Sequence, residues 1–214
     1  MIKLFLDIET IPADESIKAG LESHIRPPRN LSRPETLERW ETEAKPDRVE
    51  DTFRKTALRG HQGRILCVGY IKETDKSLTE DVISGLEPSI LRYFWDLAKD
   101  VHLFVGFNIL NFDLRFIVQR SIIHGIEPTK RLPFARYRSE PVYDVMQEWE
   151  CWGRENIRLG ELAEALDLRS PKGDLDGSKV YDYYQDGRLE EIYRYCMEDV
   201  RTTRAIYRRM TFQD

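Results

Sequence analysis

Four acidic residues in three separate segments occupy positions suited to holding metal ions. Asp7 and Glu9 are separated by one residue, so on an extended chain their side chains leave the same face. Asp is disfavoured inside strands, and two neighbouring acids repel each other unless solvent or a cation neutralises them. The pair therefore predicts either a shared metal ion or a polar strand end that enters a turn.

Asp113 stands at the predicted opening of a helix, shortly after an apolar strand. Asp is a preferred N-cap residue, and a carboxylate there is stabilised by the helix dipole. Taken alone, Asp113 is therefore typical of a cap, and only its combination with the other acids makes it a candidate metal ligand.

The last predicted helix carries an acid on its apolar face. Asp199 lies three residues after Cys196 and four before Thr203, so its carboxylate projects from the face expected to be buried, where an unpaired charge is costly. Tyr195 lies one turn earlier on the same face. A metal ion or an arginine from elsewhere would neutralise this carboxylate. The other members of the stripe are Leu189, Ile192, Ile206 and Met210.

The four acids together make a stronger case than any one of them. Hard divalent cations prefer oxygen ligands, and Mg²⁺ usually takes a few carboxylates together with waters and substrate phosphate oxygens. The pattern therefore indicates phosphoryl chemistry.

The elements that must position these acids alternate between strands and helices. Strands are predicted over 1–8, 63–71, 77–84 and 102–107. Helices are predicted near 88–98 and over 112–124, 145–152, 159–166, 178–185 and 189–210. The order predicts an α/β sandwich around a mixed sheet.

Residues 13–63 differ from the rest of the chain. Only 13 of these 51 residues are apolar, 20 are charged, and four of the ten prolines lie here. Val49, Phe53 and Ala57 fall at helical spacing after Asp47, a candidate N-cap, and a second short helix is predicted around 37–40. The segment is predicted to be a helical insertion after the first β-strand. We expect it to lie beside the cleft that holds the acids and to guide or cap the end of the substrate there.

Composition and charge limit the class of protein. With 214 residues, 33 basic and 38 acidic, the chain predicts one domain over 1–214 with a net charge of -5. No run approaches the roughly 20 apolar residues of a membrane span, so we expect a cytoplasmic protein with no membrane partner.

Charge is unevenly distributed along the chain. Residues 114–139 carry +5, which leaves -10 for the remainder. This basic stretch is either a phosphate-binding surface or a solvated helix face and loop. Its six basic residues are Arg115, Arg120, Lys130, Arg131, Arg136 and Arg138.

The three cysteines lack the spacing of a zinc site, and their odd number argues against a disulfide framework. We expect Cys67, Cys151 and Cys196 to be reduced core thiols.

The three acidic segments resemble the motifs of a known family, the DEDD superfamily of 3′-5′ exonucleases, which has a ribonuclease H-like fold. The segment 7–10 (DIET) is similar to the first motif, and 108–113 (NILNFD) to the second. The segment 195–199 (YCMED) is similar to the third in its tyrosine form, which identifies the DEDDy type. Segments 143–146, 172–178 and 195–200 resemble bacterial stand-alone exonucleases related to the proofreading domain of family B DNA polymerases.

The resemblance implies a three-layer sandwich with a mixed five- to six-stranded sheet. It also implies two divalent cations, Mg²⁺ or Mn²⁺, and a two-metal hydrolysis. Asp7 would bridge both ions, Glu9 and Asp199 would complete the first site, and Asp113 would hold the second. Tyr195 would orient the attacking water through its hydroxyl.

The same resemblance implies contacts to the substrate. Thr10 and the backbone of Ile11 would hold the terminal nucleotide, and Asn108 would contact the penultimate region. Phe107 and Phe112 are either a stacking surface or core residues. Lys172 is either a phosphate contact or part of a turn.

The implied activity is removal of 5′-mononucleotides from the 3′ end of single-stranded DNA. One alternative is an RNA-trimming 3′-5′ exoribonuclease of the same chemistry, like ribonuclease D, whose relatives usually carry further helical domains. The other is a catalytically silent nucleic-acid-binding subunit, for which Tyr195 would be unnecessary. The partner that these residues indicate is a single-stranded nucleic acid 3′ end, and they point to no particular protein partner.

Overall fold

Five strands form one mixed sheet in a computed structural model that describes residues 1–153, 155–169 and 175–213. The sheet order is β3-β2-β1-β4-β5. β1 runs antiparallel to β2 and β2 antiparallel to β3, whereas β1, β4 and β5 are parallel neighbours. The strands are β1 (Lys3–Ile11), β2 (Arg64–Glu73), β3 (Leu78–Ser84), β4 (Leu103–Gly106) and β5 (Val142–Asp144).

Nine α-helices surround this sheet in the part of the chain that the structure describes. Three lie between β1 and β2, namely α1 (Lys18–His24), α2 (Pro34–Arg39) and α3 (Lys45–Arg54). The others are α4 (Glu87–Ala98), α5 (Asp113–Ile123), α6 (Val145–Trp149), α7 (Leu159–Ala165), α8 (Val180–Gln185) and α9 (Leu189–Met210). None of these helices is both long and apolar enough to cross a membrane.

The central strand β1 separates two hydrophobic cores. Leu4, Leu6 and Ile8 are buried in a core that also contains residues of α4 and α5. Phe5 is buried in a second core on the opposite face, with residues of α6, α7 and α9. The sheet is thus sandwiched between two helical layers, which confirms the predicted α/β class and the ribonuclease H-like arrangement. Because side chains alternate along a strand, Asp7 shares the face of Phe5, which is the α9 side.

β1 extends beyond the apolar run 1–8 from which it was predicted. β2 pairs with the full length of β1, so the strand continues to Ile11, with a register shift between Glu9 and Thr10. Pro12 then ends it, since proline has no N–H to donate to the ladder. The two acids therefore lie inside the central strand rather than in the turn that follows it.

The segment between β1 and β2 is helical, as predicted. Phe53 of α3 is fully buried, with its ring 5.7 Å from that of Tyr181 in α8. Arg54 adds an ion pair of 2.7 Å with Asp182 of the same helix. The insertion is thereby packed against α8. Asp47 is not the N-cap that the spacing predicted, because α3 already begins at Lys45 and places Asp47 in its first turn.

Two further expectations differ from the structure. The strand β5 was not predicted, because its three residues lie directly before a segment whose pattern indicates a helix. Cys67 and Cys196 are buried as expected, but Cys151 is exposed, because it follows the end of α6 in a left-handed backbone conformation.

Candidate active site

Three potential metal ligands lie close together between β1 and α9. One ligand atom from each of Asp7, Glu9 and Cys196 lies within 4.8 Å of the other two. Glu9 is buried, and Asp7 is partly accessible to solvent. The same face of β1 that carries Phe5 into the core therefore carries two carboxylates toward the middle of α9.

A glycine allows α9 to approach the sheet this closely. Gly69 of β2 is paired with Asp7 across the ladder. A Cβ atom added at Gly69 would lie only 2.8 Å from the Sγ of Cys196, closer than such contacts occur. A larger residue at this position would push α9, and the residues it carries, away from β1.

Cys196 is a neighbour of Asp7 that the sequence analysis assigned only to the apolar stripe. Its Sγ lies 3.5 Å from both the backbone oxygen and the Oδ2 of Asp7. Hydrogen bonding with Cys67, burial and the nearby carboxylates raise the pKa of the Cys196 thiol well above its usual value. The thiol is therefore protonated and donates toward Asp7. The only sequence signal was its position on the same helix face as Asp199.

Asp113 connects the start of α5 to the central strand. Its side chain is 2% exposed, and its Oδ1 accepts a hydrogen bond of 3.0 Å from the backbone N–H of Ile8. Asp113 is the first residue of the helix, and Phe112 occupies the N-cap position. The interpretation of Asp113 as a simple N-cap is therefore wrong. Burial raises its pKa to about 7, although hydrogen bonds from backbone N–H groups oppose this shift.

Asp199 and Tyr195 lie one turn apart on the same face of α9. Burial raises the pKa of Asp199 to about 7, while the hydrogen bond from Tyr195 partly counteracts it. Burial and the charges of Asp199, Glu9 and Asp7 raise the pKa of Tyr195. The phenol therefore stays protonated near neutral pH and acts as a hydrogen-bond donor, not as a base.

Asp7 and Glu9, together with Asp113 and Asp199, whose charges act on them, are what we call the carboxylate cluster. Burial, followed by repulsion from Asp113, Glu9 and Asp199, raises the pKa of Asp7 well above its usual value. Burial, with repulsion from Cys67, Asp199 and Asp113, raises that of Glu9 in the same way. Within the described ranges, no lysine or arginine forms an ion pair with any of these four acids. The arginine that the sequence analysis considered as a partner of Asp199 is therefore not found among the described residues. The cluster has the donor atoms and the uncompensated charge that suit Mg²⁺ or Mn²⁺.

The predicted substrate contacts on β1 lie where the strand meets the insertion. The hydroxyl of Thr10 donates a 2.8 Å hydrogen bond to the carbonyl of Ala57. Ile11 is buried in a third hydrophobic cluster that contains Phe53. Both residues are thus next to Glu9 in the chain and in contact with the insertion.

The predicted contacts after β4 occupy the loop 107–112. Asn108 has a left-handed backbone, with φ of 57°, and its Oδ1 accepts a hydrogen bond from Asn111. Phe107 and Phe112 are partly buried, and each packs on the edge of a different hydrophobic core. Lys172 lies outside the described residues.

Asp144 shapes this loop and was not singled out from the sequence. It is completely buried at the end of β5 and is the N-cap of α6, with a hydrogen bond from the N–H of Gln147. Its Oδ1 and Oδ2 also accept hydrogen bonds of 3.0 and 3.1 Å from the backbone N–H groups of Asn108 and Leu110. Asp144 therefore fixes the path that leads to Asp113. An acid directly before a helical run was the available sequence signal.

The basic stretch 114–139 divides into two kinds of residue. Arg120 is 7% exposed and pairs with Glu87 at 2.7 Å, and Lys130 donates to the carbonyl of Val101. These two residues serve the fold. The remaining members are exposed and form no ion pair with any residue that the structure describes: Arg115, Arg131, Arg136 and Arg138.

Residues 56–214 match a family described as "Predicted 3'-5' exonuclease related to the exonuclease domain of PolB". The match covers 159 of the 214 residues and contains Asn108, Asp113, Tyr195 and Asp199. It begins after β1, so the carboxylates of Asp7 and Glu9 are brought to the matched region by the sheet. No curated protein matches the chain.

Proposed function

Because the chain belongs to this family of predicted 3′-5′ exonucleases related to the exonuclease domain of PolB, we propose that it hydrolyses the 3′-terminal phosphodiester bonds of single-stranded DNA. The products are 5′-mononucleotides. One observation carries the proposal. The sheet joins two acids outside the matched region to two inside it, in a cluster whose charge the described residues leave uncompensated.

The carboxylate cluster is the proposed binding site of two divalent cations, Mg²⁺ or Mn²⁺. In this proposal Asp7 would serve both ions, Glu9 and Asp199 would complete one site, and Asp113, at the start of α5, would hold the other. Bound cations would neutralise the phosphate and lower the pKa of a water molecule.

Tyr195 is the proposed positioning group for the attacking water. It lies one turn from Asp199 on α9, and its raised pKa keeps the proton on the phenol. It therefore holds a water by hydrogen bonding, and the proton that the water loses has to pass to a carboxylate or to solvent.

The 3′ end of the DNA is proposed to lie between two groups of residues that flank the carboxylate cluster. Thr10 and Ile11 are assigned to the terminal nucleotide, because they directly follow Glu9 and contact the insertion. Asn108, supported by Phe107 and Phe112, is assigned to the preceding nucleotide, because this loop leads into Asp113. Lys172 stays a prediction from the sequence. In this proposal residues 1–214 act as one exonuclease domain, and the insertion guides the 3′ end.

A gel time course tests the function. The substrates are matched 5′-labelled single-stranded DNA and RNA oligonucleotides, with Mn²⁺ or Mg²⁺ present. We expect a ladder that shortens from the 3′ end, requires metal, and is absent for Asp7→Ala. Tyr195→Phe should slow cleavage about 10²-fold, the lower end of what proton-positioning groups contribute. Asp96→Ala, an exposed acid of α4 that pairs with Lys99, is the matched control and should cleave normally.

Three results would contradict parts of this proposal. Full activity of Asp7→Ala would refute the role of the carboxylate cluster. A ladder on RNA but not on DNA would favour the RNA-trimming alternative. Tight Mn²⁺ binding in calorimetry with no cleavage of either polymer would favour a silent binding subunit.

A further inference from the structure

We propose that a cavity beside the carboxylate cluster binds one nucleobase of the single strand, on the 5′ side of the cleaved bond, by stacking on Tyr137 and Trp152. This inference rests on the proposed exonuclease function for the position of the strand, but not for the chemistry of the cavity. The cavity has a volume of about 220 Å³. Its lining includes Leu110, Asn111, Phe134, Arg136, Tyr137 and Trp152.

Two of the three aromatic side chains that line this cavity are exposed, and the third, that of Trp152, is half-buried. Tyr137 is 73% exposed and Phe134 is 44% exposed. The ring centroids of Tyr137 and Trp152 lie 5.2 Å apart and the rings are tilted by 47°, so the two rings pack against each other at an angle and do not stack face to face. Exposed aromatic faces are the usual platforms for unpaired bases, because each stacked base contributes appreciably to binding.

The backbone at these rings is held in an unfavourable conformation. Tyr137 has a φ of 64° and Trp152 a φ of 61°, both in the left-handed region that bulky side chains rarely adopt. Cys151, directly before Trp152, has a φ of 48°. Such strain persists only where the surrounding structure enforces it, and it is concentrated at functional sites.

The charge near the cavity fits the backbone of a nucleic acid. Arg136 lines the cavity, and Arg131 and Arg138 are its exposed neighbours in the chain. None of the three forms an ion pair with a described residue, although the whole chain carries a net charge of -5. Free guanidinium groups beside aromatic rings can hold phosphates while the bases stack.

The cavity is joined to the carboxylate cluster by a short, fixed loop. Leu110 and Asn111 line the cavity, and the same loop reaches Asp113 two residues later. Asp144 holds Leu110 from one side and Gln147, another lining residue, from the other. A strand whose 3′ end lies at the acids thus meets the cavity with a nucleotide farther toward its 5′ end. The bases of a duplex are already stacked and paired, so a duplex has no free base to place in the cavity. The base that enters the cavity therefore belongs to a single strand.

Binding measurements on the metal-free protein test the cavity without depending on cleavage. Fluorescence anisotropy with a 5′-labelled oligothymidylate of about 12 nucleotides in EDTA gives the dissociation constant. We expect Tyr137→Ala and Trp152→Ala each to weaken binding about tenfold or more, the range for loss of one stacked base. Tyr137→Phe should retain the affinity, because it keeps the ring. Phe212→Ala, which removes a ring that is 93% exposed near the end of α9, is the matched control and should bind normally.

An abasic scan identifies the base that enters the cavity. In a series of oligonucleotides with one abasic site each, counted from the 3′ end, we expect one position to weaken binding to the parent protein. At that position Trp152→Ala should show no further loss, because the ring and the base act as a pair. Arg136→Ala should weaken binding at every position and reduce its salt dependence, whereas Arg92→Ala, an exposed arginine of α4, should not.

The two hypotheses fail in different ways. If all abasic positions behave alike in the parent and in both ring variants, the stacking cavity is refuted, whether or not the protein cleaves DNA. If the ring variants and one abasic position show the expected coupling but no ladder forms with metal, the cavity stands and the exonuclease proposal fails.

Discussion

Glu87 and the four acids of the carboxylate cluster differ in how the rest of the chain compensates their charge. Glu87, at the start of α4, accepts two hydrogen bonds from Arg120, one from the backbone of Ile65, and is 2.7 Å from the Nε2 of His124. Burial alone would raise its pKa, but these donors outweigh burial and lower it. We call Glu87, Arg120 and His124 the Glu87 ion-pair cluster.

The carboxylate cluster shows the reverse balance. Burial and mutual repulsion raise the pKa values of its members, and no basic side chain among the described residues compensates them. Within one small fold, therefore, Arg120 neutralises one largely buried acid, whereas four other buried or partly buried acids have no basic partner among the described residues. The difference supports the proposal that the carboxylate cluster binds cations that come from outside the chain.

Replacing one member of the carboxylate cluster gives the largest expected effect. Asp7→Asn should lower cleavage by at least about 10³-fold, because several kcal/mol of transition-state stabilisation depend on the cations. The same change should raise the free energy of unfolding of the metal-free protein near pH 8, because it removes a repelled charge. Single-turnover cleavage and urea unfolding measure the two effects. A variant that loses both activity and metal-free stability would break the contrast between the clusters.

Replacing the acid of the Glu87 ion-pair cluster should do the opposite. Glu87→Gln should lower the free energy of unfolding by roughly 3 to 5 kcal/mol, because it leaves the buried guanidinium of Arg120 without a counter-charge. Cleavage per folded molecule should stay near the parent value. Adding Arg120→Met to this variant should recover part of the stability, since no unpaired charge then remains buried. Unchanged stability of the single variant would show that the pair is dispensable.

The two clusters also predict opposite dependences on pH. Asp113 and Asp199 have pKa values of about 7 in the folded protein, above the roughly 3.9 of an unfolded chain. The folded state therefore binds their protons more tightly, and this contribution to stability is complete below about pH 4 and lost as the pH rises toward 7. The lowered pKa of Glu87 has the opposite sign, because its contribution is lost as the pH falls through that lowered value.

Bound metal should offset the loss of stability with rising pH that comes from the carboxylate cluster. It should not change the pH dependence that comes from the Glu87 ion-pair cluster. At a free Mn²⁺ concentration about 100 times its dissociation constant, we expect about 2.7 kcal/mol of added stability near pH 8. Near pH 5 the gain should be much smaller, because protons compete for the same carboxylates. Urea unfolding from about pH 5 to pH 8, with and without Mn²⁺, measures this, and Asp7→Asn is the control. An equal gain at both pH values would place the metal elsewhere.

The sequence predicted the long elements better than the short ones. α9 was predicted with both ends correct, because a 22-residue helix repeats its apolar stripe many times. β5 has three residues, too few for a periodic pattern, and it is a strand only because it pairs with β4. The order of the segments was enough to predict the class of fold, but it did not predict the edge strand β5.

Charges were harder to interpret than elements. Arg120 and Arg136 belong to the same basic stretch, and nothing local separates the buried partner of Glu87 from an exposed guanidinium. The grouping of the four acids was expected from their motifs, whereas the contact between Cys196 and Asp7 was not. That contact depends on Gly69, which lets α9 approach β1, and so on the register of the sheet.

Replacing Cys196, which contacts Asp7 at the edge of the carboxylate cluster, has the smallest expected effect. The thiol is protonated and donates toward Asp7, which opposes the rise in the pKa of that carboxylate. Cys196→Ala should therefore slow cleavage by less than about tenfold, the worth of one neutral hydrogen bond, and Cys196→Ser should restore most of the rate because it keeps a donor. Cys151→Ala, at an exposed thiol, is the matched control. Parallel rates with Mg²⁺ and Mn²⁺ measure the effect. A loss above about 10²-fold, with a changed preference between the two metals, would mean that the thiol is itself a ligand, and the carboxylate cluster would then not be built from oxygen donors alone.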